Sequence, residues 1–134
     1  MTAPIAEIQI YPGCTLLIPS GPSGNHLFVS VLAEKVINGK PHVLLVSLCT
    51  IDGKPNYDQT CVVKAGEHSF AKDDSYINFA KPRSEPVADV LAQLKNGYFL
   101  PKNENVSAAI LMRIQAGLKT SNRIPRYIKD DWQI

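Results

Sequence analysis

His42-Val-Leu-Leu-Val-Ser-Leu-Cys-Thr-Ile51 is the stretch on which the fold turns. It is apolar at nearly every position and bounded by turn residues, Asn38-Gly39 before it and Asp52-Gly53, Lys54, Pro55 and Asn56 after it. A run of this length with β-branched residues reads as a central strand buried on both faces. Working outward, shorter runs repeat the pattern. Residues 7–11 alternate weakly, and Pro12-Gly13 is turn chemistry. Cys14-Thr-Leu-Leu-Ile18, Leu27-Phe-Val-Ser-Val-Leu32, Thr60-Cys-Val-Val-Lys64 and Tyr76-Ile-Asn-Phe-Ala80 read as strands. Pro19-Ser-Gly-Pro-Ser-Gly-Asn25 can only be a loop. In the last strand, Tyr76 and Phe79 are expected in the core, with Ile77 on the other face.

The pattern changes at Ser84-Glu85-Pro86, which reads as an N-cap, an acidic first turn and an early proline. Val87, Val90, Leu91 and Leu94 follow at helical spacing, and Gly97 stops the run. Residues 101–105 read as a polar linker. Ser107 opens a second helix with Ile110, Leu111, Ile114 and Leu118 on one face. The tail from Ile124 either docks through Tyr127 or Trp132 or frays. The expectation is a single α+β domain: a small β-barrel of five to six strands over residues 7–80, then a helical part over 84–134 with helices near 85–96 and 107–119.

The chain has 134 residues, 45% of them hydrophobic and 19% charged, which suits one folded domain. Net charge is only +2, but the halves differ. Residues 1–67 hold 4 Lys/Arg against 5 Asp/Glu, and residues 68–134 hold 10 against 7. An anionic partner accounts for that excess; so does a solvated helix surface. Cys14, Cys49 and Cys61 are odd in number and have no metal-ligand spacing, so they read as buried free thiols in a reducing compartment. The first residues lack a signal-peptide pattern, and the longest apolar run is far short of a membrane span, so a cytoplasmic protein is expected. There is no Gly-x-Ser-x-Gly elbow, P-loop or dinucleotide fingerprint, and no cofactor or metal is expected.

The densest polar segment is 64–84, which carries His68, Lys72, Asp73, Asp74, Ser75, Tyr76, Lys81, Arg83 and Ser84 between ordered elements. A rigid scaffold positions such connecting segments for chemistry. His68 sits where Asp73-Asp74 could hold its imidazolium, or where Asp73 or Ser75 could simply anchor its loop. The two aspartates equally suit an Asx-type turn.

Four stretches together resemble the PemK/MazF-like toxins, SH3-like barrels that act as ribosome-independent RNA endonucleases. Pro12-Gly-Cys-Thr-Leu-Leu-Ile-Pro-Ser-Gly-Pro22 resembles the family's opening strand and loop. His26-Leu-Phe-Val-Ser-Val31 resembles the second strand, with Asn25-His26 in place of the family's basic pair. Val43-Leu-Leu-Val-Ser-Leu-Cys-Thr50 resembles the third, ending in the active-site hydroxyl residue. Phe79-Ala-Lys-Pro-Arg-Ser84 resembles the passage from the last long strand to a helix, where the family carries a basic residue followed by Ser or Thr.

The resemblance implies a metal-independent endoribonuclease, the toxin half of a toxin–antitoxin pair, working as a homodimer whose groove takes single-stranded RNA or an antitoxin peptide. It places His26, Thr50 and Arg83 in catalytic roles. The polar segment itself adds His68 to that set, and Lys72, Asp73, Ser75, Lys81 and Ser84 are candidate substrate contacts. Cleavage by the 2′-hydroxyl needs a base, an acid, and donors or cations for the developing phosphorane charge. Histidine suits both proton roles near neutrality. The competing expectation is a non-catalytic SH3-like module that binds a protein or nucleic acid.

Overall fold

The computed structural model describes residues 8–20, 24–53 and 55–134. Seven antiparallel strands form one curled sheet, an open half-barrel. In chain order they are β1 (Thr15–Pro19), β2 (Asn25–Ser30), β3 (Lys35–Ile37), β4 (Lys40–Thr50), β5 (Val62–Val63), β6 (Ser75–Pro86) and β7 (Leu100–Lys102). The spatial order is β5-β6-β4-β2-β1-β7, with β3 also on β4. Helix α1 (Val87–Lys95) lies between β6 and β7, and α2 (Ala108–Thr120) and α3 (Arg126–Trp132) close the chain. No helix among the described residues is long and apolar enough to cross a membrane.

The decisive stretch is β4, eleven residues long and paired with β2, β3 and β6. Asn38 and Gly39, at φ of 53° and 79°, make the tight β3–β4 turn that those two residues favour. Because side chains alternate, β4 feeds two cores. Leu44, Val46 and Leu48 join Leu27, Val29, Ile77 and Phe79 under α2 and α3. Val43 and Leu45 join Leu16, Ile18 and Phe28 under α1 and Phe99. The sheet therefore carries helices on both faces.

Several expectations are corrected. Residues 8–11 form no strand, while residue 7, residues 21–23 of the Gly/Pro loop and Lys54 of the next turn lie outside the described set. Ser84 is no helix cap. It continues β6 opposite Leu44, and Pro86 is the residue before the helix, at φ −56° and ψ 134°. Proline disfavours α geometry in the residue before it, which keeps Glu85 extended and delays the helix to Val87. Ile77 and Phe79 share a face, as a period of two requires, and Tyr76 points the other way. Part of the expected linker is β7, an edge strand on β1. The second helix matches closely, with the Ser107 hydroxyl accepting from the Ile110 amide at 3.1 Å. The tail docks through Trp132, whose indole N–H donates to the Ser84 hydroxyl at 3.0 Å, while Tyr127 stays exposed.

β6 holds the most consequential irregularity. Leu45 pairs with Arg83 and Ser47 with Asn78, so two residues of advance on β4 correspond to five on β6. The three extra residues form a large bulge. Phe79 plugs it into the larger core, and Ala80 and Lys81 stand exposed.

Candidate active-site cleft

One face of β4 reads Val43, Leu45, Ser47, Cys49. The first two are covered by α1. The last two line a cleft of about 560 Å³. β2 contributes His26 and Phe28, and the β6 bulge contributes Asn78, Lys81, Pro82, Arg83 and Glu85. Ser20, after β1, completes the lining.

Arg83 is held on three sides. Its guanidinium carbon lies 5.7 Å from the Phe28 ring centroid and 5.5 Å from that of Phe99. Its Nε donates to the Glu85 carboxylate at 3.2 Å. The stacking fixes the plane of the guanidinium and leaves its terminal nitrogens without a protein partner among the described residues. Neither ring nitrogen of His26 is engaged among those residues, and Nδ1 is shut off from solvent. The Asn78 side chain accepts from the Ala80 amide at 3.2 Å, a local turn that opens the bulge. The Ser47 hydroxyl and the Cys49 thiol lie 3.7 Å apart. On the neighbouring strand, burial raises the Tyr76 phenol, and the Cys49 sulfur adds to the rise by its charge and a hydrogen bond.

Of the residues singled out in the sequence, His26, Lys81 and Arg83 meet in this cleft. The others do not. Thr50, Lys72 and Asp73 line a separate cleft of about 530 Å³ with Ser69, Phe70 and Lys102. Ser75 is buried and its hydroxyl donates to the Asp73 carbonyl. Ser84 faces Trp132. Asp74 accepts from the Ala65 amide at 2.9 Å, and that bond, aided by Lys64, holds its carboxyl below the usual range.

His68 is committed elsewhere. It is 2% exposed, and its partner is not the aspartate pair. The Phe70 amide donates to Nδ1 at 3.1 Å, so Nε2 carries the proton and donates to the Glu104 carbonyl at 2.8 Å. The ring ties the 64–84 segment to Glu104, two residues past β7. Among the described residues no cluster of His, Cys, Asp or Glu is placed to hold a metal ion.

Ser47, Cys49, Asn78 and Glu85 were missed by sequence reasoning. Ser47 and Cys49 had a signal: the α1-facing side of β4 switches from Val and Leu to Ser and Cys while its other side stays apolar. Cys49 is accordingly half-buried in the cleft, whereas Cys14 and Cys61 are buried as expected.

Compared with protein-family models, curated proteins and solved structures, the chain matches none.

Proposed function

We propose that the protein is a cytoplasmic, metal-independent endoribonuclease of the toxin–antitoxin kind, built on an SH3-like half-barrel and cutting single-stranded RNA by acid–base catalysis. The observation that carries this reading is the meeting of His26 with Lys81 and Arg83 in one cleft. His26 brings an imidazole with no protein partner among the described residues, the side-chain type suited to either proton role. The stacked Arg83 offers preoriented N–H donors to a phosphate, and Lys81 adds a mobile charge.

In the proposed reaction the substrate 2′-oxygen attacks the adjacent phosphorus and the bond to the 5′-oxygen breaks. The products are a cyclic phosphate and a 5′-hydroxyl. His26 serves one of the two proton transfers, and Glu85, in the same cleft, is the group left for the other. Thr50 and His68 have no part in this version. A homodimer and an antitoxin peptide seated in the cleft belong to the same proposal.

A second reading, a non-catalytic SH3-like module for a protein or nucleic-acid partner, is favoured by the Arg83–Glu85 pair, which already neutralises one of the two cleft cations. Incubation of the protein with a long single-stranded RNA in EDTA separates the two. Discrete cuts that are lost in His26→Ala support the enzyme. Intact RNA with folded protein supports the module.

A further inference from the structure

Cys49 differs from the other two thiols in place and company. Cys14 and Cys61 are 7% and 3% exposed, and burial raises both thiols, which keeps them protonated. Cys49 lines the open cleft. The β2–β4 pairing ends at Leu27 with Leu48; continued by one position it would bring His26 across from Cys49, and both line the same cleft. Directly opposed residues of an antiparallel pair have Cβ atoms about 5 Å apart, within side-chain reach. His26 brings an imidazole with no protein partner among the described residues and a buried, unpaired Nδ1. The Ser47 hydroxyl lies 3.7 Å from the sulfur, and Tyr76 pairs with Cys49 on the neighbouring strand.

We infer that Cys49 and His26 form a thiol–imidazole pair that captures a small anionic disulfide of the glutathione type, closing the cleft covalently. His26 takes the thiol proton, and the Cys49 sulfur attacks one sulfur of the disulfide. A new S–S bond forms as the old one breaks. The leaving thiolate takes the proton back from His26, so protein thiol plus disulfide gives mixed disulfide plus free thiol. Lys81 and Arg83 against the single Glu85 favour an anionic reagent. A cleft of about 560 Å³ has room for such an adduct, which then excludes any other ligand until a thiol reductant removes it.

The test needs no RNA, so its outcome is independent of the nuclease reading. Native protein is exposed to glutathione disulfide or to the dicationic cystamine. Adducts are located by peptide mass spectrometry, and rates are referred to those of free N-acetylcysteine. The expected result is a single adduct at Cys49, with glutathione disulfide favoured over cystamine and the preference reduced in Lys81→Ala. His26→Ala, and His26→Gln as the variant closer in volume, should slow capture about tenfold, the scale on which a neighbouring base alters thiolate supply. Continued protection of Cys14 and Cys61 shows that each variant is folded. No adduct on native protein, an adduct on Cys14 or Cys61, a preference for cystamine, or an unchanged rate in both folded His26 variants would overturn the inference.

Discussion

Replacing Gly117 with alanine sets two effects of known sign against each other. Gly117 lies inside α2, where alanine is favoured over glycine by about 1 kcal/mol. A Cβ there would sit 2.5 Å from Phe79 Cζ and 2.8 Å from Cε2, with Thr60 Cγ2 at 3.4 Å. Carbon contacts are comfortable only from about 3.5 Å, so the ring must withdraw by roughly 1 Å. Phe79 is fully buried, in an interior packed too densely to yield that distance freely. Overpacking of this kind costs about 1–3 kcal/mol. The net expectation is a loss of about 1 kcal/mol, or a fall in Tm of roughly 4 °C for a chain of this size.

Urea and thermal unfolding measure the loss. The mechanism is isolated by Phe79→Leu, which removes the clashing atoms. The double variant should lose less than the sum of the two single ones, by about 1 kcal/mol. A Gly117→Ala protein more stable than wild type, or strictly additive losses in the cycle, would refute the packing argument. Phe79 also anchors the bulge, so the shift should carry to Lys81 and Arg83 and, on the proposed nuclease reading, weaken RNA binding along with stability.

Other expectations concern the charges. Under the proposed RNA-binding role, Arg83→Lys keeps the charge but loses the Phe28 and Phe99 stack, so RNA affinity should fall, and in Arg83→Ala the salt slope of binding should drop by about one; filter binding across salt concentrations checks both. His68→Ala leaves the Phe70 amide and the Glu104 carbonyl unpaired, and should cost about 2–4 kcal/mol in urea unfolding while the cleavage proposed for His26 persists in the folded fraction. Burial pushes the Asp58 carboxyl up, but hydrogen bonds from Thr60 and Ser121 and the Arg123 charge outweigh it and hold it below its usual range. The stability it contributes is therefore present above the unfolded value of about 3.9 and lost as pH falls through the lower folded one. Unfolding from neutral pH to acid should show this loss in wild type and a flatter acid limb in Asp58→Asn.

The sequence made the local elements plain. β4, the Asn38-Gly39 turn and α2 with its Ser107 cap follow from periodicity and turn chemistry to within a few residues of their observed bounds. What stayed hidden depends on partners far along the chain. β7 is only Leu100, Pro101 and Lys102, three residues with a central proline that become a strand only because β1 offers an edge. The Ser84 hydroxyl has the chemistry of a cap, but Trp132, 48 residues on, claims it. His68 was read against its neighbours Asp73 and Asp74, and its partner is Glu104, 36 residues away. His26, Lys81 and Arg83 could be named as candidates, but only the pairing of β2, β4 and β6 brings them to one place.

The β6 bulge also sets a phase. Asn78 and Arg83 are an odd number of residues apart, yet both face the cleft, because the bulge inserts an odd number of residues. Removing one residue between them would invert every side chain downstream as far as α1. Arg83 and Glu85 would then turn toward the α2 core, and Ser84 would turn into the cleft. Removing two would restore the orientation with a shorter rim. Tolerance to deletion in this segment should therefore alternate with the parity of its length, which makes the cleft's chemistry a matter of counting as much as of residue identity.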